Sequence, residues 1–149
     1  MKQLILTLIL VTLSAPTCLG EWTEVTEGES GNAYYYVDFE KIREHGGYVY
    51  YWYLGDFPKS LMDSEILSFE NYTQGDCNLF RWKVLTGNSY SQSMGEGIVL
   101  HSSDEPDENW TYPPPDSIAE GILKTVCTYV KISEEDRQEA LQSLKKNKK

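Results

Sequence analysis

Cysteine and histidine are nearly absent from this chain, with three and two copies in 149 residues. There is no Cys-x-x-Cys pair, so no redox motif is present. His45 and His101 have no metal-ligand spacing such as His-x-x-x-His, and both adjoin turn residues. An exposed loop histidine is the better reading for each than a catalytic base. No Gly-x-Ser-x-Gly elbow occurs. Gly95-Glu96-Gly97 is not followed by a helix signal, so no phosphate cradle is formed. Positive charge is also short, with 13 Lys and Arg against 23 Asp and Glu. Such a field repels nucleic acid and anionic membranes. Beyond Val25 no apolar run is long enough to cross a bilayer. Catalytic sites, metal sites and cofactors are therefore expected to be absent.

What is present begins with a leader. Lys2 precedes the apolar stretch Leu4 to Leu13, and Cys18-Leu19-Gly20 offers small residues at the cleavage positions, so residues 1–20 read as a secretory signal peptide. Lipidation of Cys18 is the competing reading, but Pro16-Thr17 match poorly the small residues that lipoprotein processing requires. Removing the leader leaves 129 residues with a formal balance of −11. That is one domain, large enough for a true core. Two cysteines remain, Cys77 and Cys127, and in an oxidising compartment they are expected to pair.

Along the mature chain the first expected strands are Trp22–Thr26 and Ala33–Val37, separated by the turn residues 28–32. Asp38 caps a short helical turn that Gly46-Gly47 ends. Tyr48 to Leu54 is the strongest strand, β-branched and aromatic throughout. Ile66–Thr73 and Cys77–Thr86 follow, then a hairpin turn at Gly87-Asn88 with Tyr90–Met94 pairing back, then Ile98–Leu100. His101 to Pro115 is an acidic, proline-rich loop anchored by Trp110. Its Asp104-Glu105-Pro106-Asp107-Glu108 run lacks the spaced ligands of a calcium loop and reads as solvated.

Asp116 or Ser117 caps a helix with apolar positions Ile118, Ile122, Val126 and Val130, flanked by Ala119, Leu123 and Cys127. Ser133-Glu134-Glu135-Asp136 opens a second, charged helix toward Leu144. Strands first and helices last predict an α+β domain over 21–130, with a charged tail at 131–149. A Cys77–Cys127 bond would tie helix to sheet. Asn71-Tyr72-Thr73 and Asn109-Trp110-Thr111 match the glycosylation acceptor pattern, which matters only in a eukaryotic secretory pathway.

One face of Tyr48–Leu54 must lie under the helix, and Tyr50, Trp52 and Leu54 are assigned there. That assignment leaves Tyr51 and Tyr53 facing solvent, joined by Tyr34 or Tyr36, as a candidate recognition surface. The competing reading is that these rings pair across strands or cover the opposite face.

Tyr34-Tyr35-Tyr36-Val37-Asp38, Gly47 through Phe57, Asp76-Cys77-Asn78-Leu79-Phe80-Arg81, Tyr90-Ser91, Trp110-Thr111-Tyr112-Pro113 and Ser117 through Cys127 follow in order. This pattern resembles the bacterial surface-adhesin protein E family over about residues 22 to 127. The resemblance implies an antiparallel sheet of about six strands. It also implies a C-terminal helix tethered to that sheet by the Cys77–Cys127 disulfide. It further implies a noncatalytic exported protein, at the periplasm or cell surface, whose relatives in some cases bind host matrix or plasma proteins and dimerise. A protein-binding module is thus expected, with homodimerisation left open and a periplasmic housekeeping or inhibitor-like protein as the alternative. Two departures stand beside this: the leader lacks a good lipobox, and the acidic charge disfavours heparin-like or acidic partners.

The leader assignment has a direct check. Intact mass of the exported protein is expected to match a chain starting at Glu21; the added mass of an acyl chain on Cys18 would overturn it.

Overall fold

The computed structural model describes residues 21–28, 31–60, 64–132 and 134–146; the expected leader, 1–20, lies outside them. Seven strands form one antiparallel sheet: β1 (Trp22–Glu27), β2 (Tyr34–Asp38), β3 (Arg43–His45), β4 (Tyr48–Asp56), β5 (Ser68–Asp76), β6 (Arg81–Tyr90) and β7 (Val99–Ser103). Their spatial order is β1-β2-β4-β5-β6-β7, with β3 paired to β4. Two helices follow, α1 (Ile118–Lys131) and α2 (Glu134–Lys146). The α+β architecture expected from the order of elements is what the chain adopts.

Three local expectations change. Gly46 and Gly47, both at positive φ, close a β3–β4 hairpin instead of merely ending a helical turn. Cys77 lies in a turn after β5, not at the head of a strand. Gly87-Asn88 is no hairpin turn, since β6 runs straight through it, Gly87 pairing with Asn71 and Asn88 with Glu70 of β5. The glycine answers a different need: a Cβ at Gly87 would collide with the Asn71 side chain on the neighbouring strand. The strand that returns along β6 is therefore β7, which extends to Ser103 and takes in His101.

Cross-strand partners share a face, so the register sorts the sheet's two sides. Val49 pairs with Gly75, Tyr51 with Thr73 and Tyr53 with Asn71. A Cβ on Gly75 would lie 2.9 Å from Leu123 of α1 and 3.0 Å from Val49. The odd-numbered residues of β4 therefore face the helix, and the missing side chain lets α1 approach closely. Val37, Val49 and Tyr51 form the core with Ile122, Leu123, Val126 and Cys127 of the α1 stripe. Ser117 caps α1, its Oγ accepting from the Glu120 N–H at 3.2 Å.

The tail after α1 folds back on the same side. Arg137 of α2 donates to the Tyr129 and Val130 carbonyls at 3.0 and 2.6 Å, supplying partners for orphan groups at the end of α1. Leu141 packs against the core.

Cys77 and Cys127 are bonded, with Cα atoms 5.6 Å apart and 50 residues between them in sequence. A closed loop of that length removes roughly 4 kcal/mol of unfolded-chain entropy, a large share of a typical domain's stability of about 5–15 kcal/mol. The Cys77→Ser/Cys127→Ser variant is expected to lose about that much in urea unfolding of the purified protein. A loss under about 1 kcal/mol would show that apolar packing alone holds α1 in place.

Candidate binding surfaces

The side of the sheet away from the helices is built from the even-numbered residues of β2, β4 and β5. Tyr34 and Tyr36 of β2 lie opposite Asp56 and Leu54 of β4. Tyr50 and Trp52 lie opposite Gln74 and Tyr72 of β5. Tyr72 is the hub: its ring stacks on Trp52 at 5.0 Å and meets Tyr50 at 6.2 Å, while the Gln74 amide donates to the Tyr50 hydroxyl at 3.0 Å. These rings are half-buried by one another and by the pleat, and among the described residues neither α1 nor α2 covers them.

The expected surface of Tyr34, Tyr36, Tyr51 and Tyr53 is thus split. Tyr34 and Tyr36 lie on this open face. Tyr51 and Tyr53 do not; Tyr51 is only 2% exposed and Tyr53 packs against the same core. Burial raises both phenols above their ordinary value, Tyr51 most of all. Conversely Tyr50 and Trp52, assigned under the helix, face away from it. Leu54 is fully buried, though beneath the short segment Ser93–Gly95 that folds over this face and not beneath α1. A fully apolar residue buried on the outer side is what inverted the parity. The signal that pointed the right way was Gly75, a residue without a side chain two positions before Cys77.

One end of the open face is set by Asp76. Its Oδ1 accepts from the N–H groups of Asn78 and Leu79 at 3.0 and 3.1 Å, and its Oδ2 from Arg81 Nε at 3.0 Å. This turn presents Cys77 to α1 and aims Arg81 over the Trp110 ring at 4.5 Å. Trp110 in turn stacks on Tyr48 at 5.4 Å, which is how the acidic loop is anchored. Lys83 also sits over Trp110, at 5.2 Å, so positive charge gathers at this corner.

On the helix side a cleft of about 220 Å³ opens beside the start of α1, lined by Tyr35, Tyr51, Tyr53, Phe69, Trp82 and residues of the helix. Phe69 also lines a second hollow, of about 460 Å³, over β5, β6 and β7. His45 and His101 are exposed and stand on different strands, β3 and β7. Among the described residues no group of His, Cys, Asp and Glu is gathered to hold a metal. No described helix is long and apolar enough to cross a membrane.

The fold is thus a seven-stranded antiparallel sheet with a disulfide-tied helix on one face and half-buried aromatic rings on the other. The profile of the surface-adhesin protein E family matches residues 22–128, and the chain belongs to that family. Haemophilus influenzae protein E, in its second crystal form, has the same fold at 16% identity and TM-score 0.56, over 71% of this chain and 87% of that one. Protein E from non-typeable Haemophilus influenzae matches at 15% identity and TM-score 0.53, over 88% and 95%. No curated protein sequence matches significantly. Family membership points to a surface-adhesin-type bacterial protein and away from an enzyme.

The Asp76 turn generates a pH prediction. Burial alone would raise its carboxyl, but the two backbone donors and Arg81 outweigh that and hold it below the ordinary carboxylate range. A carboxyl depressed on folding stabilises above its unfolded value, about 3.9, and that stabilisation is lost as pH falls through the folded one. Asp76→Asn is therefore expected to be less stable than wild type at neutral pH, with the gap narrowing as pH falls below the unfolded carboxylate value of about 3.9. Urea midpoints at several pH values give the comparison; a constant gap would contradict the linkage.

Proposed function

We propose that this chain is an exported, noncatalytic protein-binding module of the adhesin type. Its place of action is the cell surface or periplasm, and its contact surface is the open sheet face. The observation that carries this reading is the uncovered aromatic face formed by Tyr34, Tyr36, Tyr50, Trp52 and Tyr72. Tyrosine and tryptophan bury large area while freezing few rotors, which is why they dominate binding hot spots. The family supports the protein-binding class and an extracytoplasmic setting. Host matrix or plasma proteins are the proposed partners. Their basic or neutral surfaces fit best, because the chain carries 23 acidic against 13 basic residues. A second copy of the chain is the other partner to be tested on the same face.

The test is capture of immobilised matrix and plasma proteins by wild type and by Trp52→Ala/Tyr72→Ala. Removing a hot-spot pair is expected to weaken capture at least tenfold, about 1.4 kcal/mol or more, with retained circular dichroism. Undiminished capture by the variant would refute this face. Labelling of intact cells completes the test, since an adhesin must react from outside.

A further inference from the structure

We propose that the trough on the helix side of β5, β6 and β7 is a second binding site, for an extended cationic peptide segment of the form aromatic-x-basic. It lies on the opposite side of the sheet from the surface proposed above and does not rest on that reading.

The trough exists because α1 covers only part of its face of the sheet. The helix packs on β1 and β4 and meets β5 at Gly75, while the Phe69–Asn71 stretch of β5 lines, with β6 and β7, a hollow on the same face. At the helix end Tyr53, Phe69 and Trp82 wall the 220 Å³ cleft with Ile118, Ala119 and Ile122. Drug-sized ligands occupy about 300–1,000 Å³. This cleft is smaller and apolar, the size of one large side chain. Its rings already favour aromatic neighbours, with Phe69 meeting Tyr53 edge-on at 5.7 Å.

The other end of the trough has the opposite chemistry. Glu105 and Asp107 line it with Asn71, Ser89, His101 and Ser103, and neither the hollow nor the cleft is lined by a lysine or arginine. Asp107 is held in place by β6: its N–H donates to the Val84 carbonyl at 2.8 Å and its Oδ2 accepts from the Val84 N–H at 3.1 Å. The carboxylate also reaches the cleft electrostatically. Beyond the larger effect of burial, Asp107 adds to what keeps the Tyr53 phenol protonated. The two basic residues of this strand, Arg81 and Lys83, stand over Trp110 on the other side of the sheet and neutralise nothing here.

The occupant follows from these two ends. An apolar cleft open to two carboxylates repels an anionic ligand and leaves a neutral one with half its contacts. Val84, beside Asp107, lies two residues along β6 from Trp82, or roughly 7 Å. In an extended peptide, side chains two residues apart project from the same side at that spacing. An aromatic residue seated at Trp82 thus brings a lysine or arginine two positions away to Asp107 and Glu105.

The experiment is a fluorescence-anisotropy titration of labelled Gly-Trp-Ser-Lys-Gly into the mature protein. Controls replace its Trp with Ala or its Lys with Glu. Binding is expected only for the Trp/Lys peptide, weakening at higher salt. Ala119→Trp, which fills the cleft, is expected to weaken it at least tenfold, and the exposed Glu105→Lys several-fold. Near-UV circular dichroism checks the fold of each variant, and Glu105→Lys keeps the test decisive if Ala119→Trp unfolds. The proposal is overturned if no peptide binds, if the Ala or Glu peptide binds equally, or if neither folded variant weakens binding. Tryptophan amide binding as tightly as the peptide would also overturn it, by making the cleft a small-molecule site. Matrix-protein capture unchanged in Ala119→Trp is expected on this proposal, and it separates the two surfaces.

Discussion

The structure depends on the close approach of α1 to the β4–β5 pair, fixed covalently at Cys77–Cys127 and sterically at Gly75. The bond alone leaves the helix free to pivot about one point. The missing side chain at Gly75 lets Leu123 settle against the sheet beside Val49 and Tyr51, and the buried stripe of Ile122, Leu123 and Val126 then holds the axis. Once α1 is seated, the parity of β4 is decided. The odd residues turn toward the helix and the even ones away from it, Leu54 alone among the latter being buried, under Ser93–Gly95.

That decision divides the aromatic residues into two populations with different physics. Tyr51 and Tyr53 serve as large core residues whose hydroxyls stay neutral. Tyr50, Trp52 and Tyr72 meet one another from adjacent strands and remain half-buried without a layer above them. A cross-strand ring cluster of this sort rigidifies the sheet and at the same time pre-orders the surface proposed for contact, which lowers the entropy cost of that proposed binding.

The architecture was legible in the order of the elements, in the apolar stripe of 118–130 and in the cysteine pair. Strand identities near Trp22, Tyr34 and Tyr48 were legible too, because β-branched and aromatic runs leave little choice. The face of β4 was not. Leu54 is more apolar than Tyr53, yet its cover comes from Ser93–Gly95, a segment nearly forty residues away with no hydrophobic periodicity to announce it. Gly87-Asn88 misled for a related reason, since a glycine required by a neighbouring strand's side chain reads locally like a turn. The trough escaped sequence reasoning altogether, because it depends on how far the helix reaches across the sheet.

The covalent tie also assigns the protein a chemical address. Glutathione and thioredoxin hold thiols reduced in the cytosol, so a newly made chain there keeps α1 on the sheet by apolar contact only. The helix is locked down where an oxidant is met. On the exported-module reading proposed above, a copy that stays at its place of synthesis lacks that lock and is the less stable form.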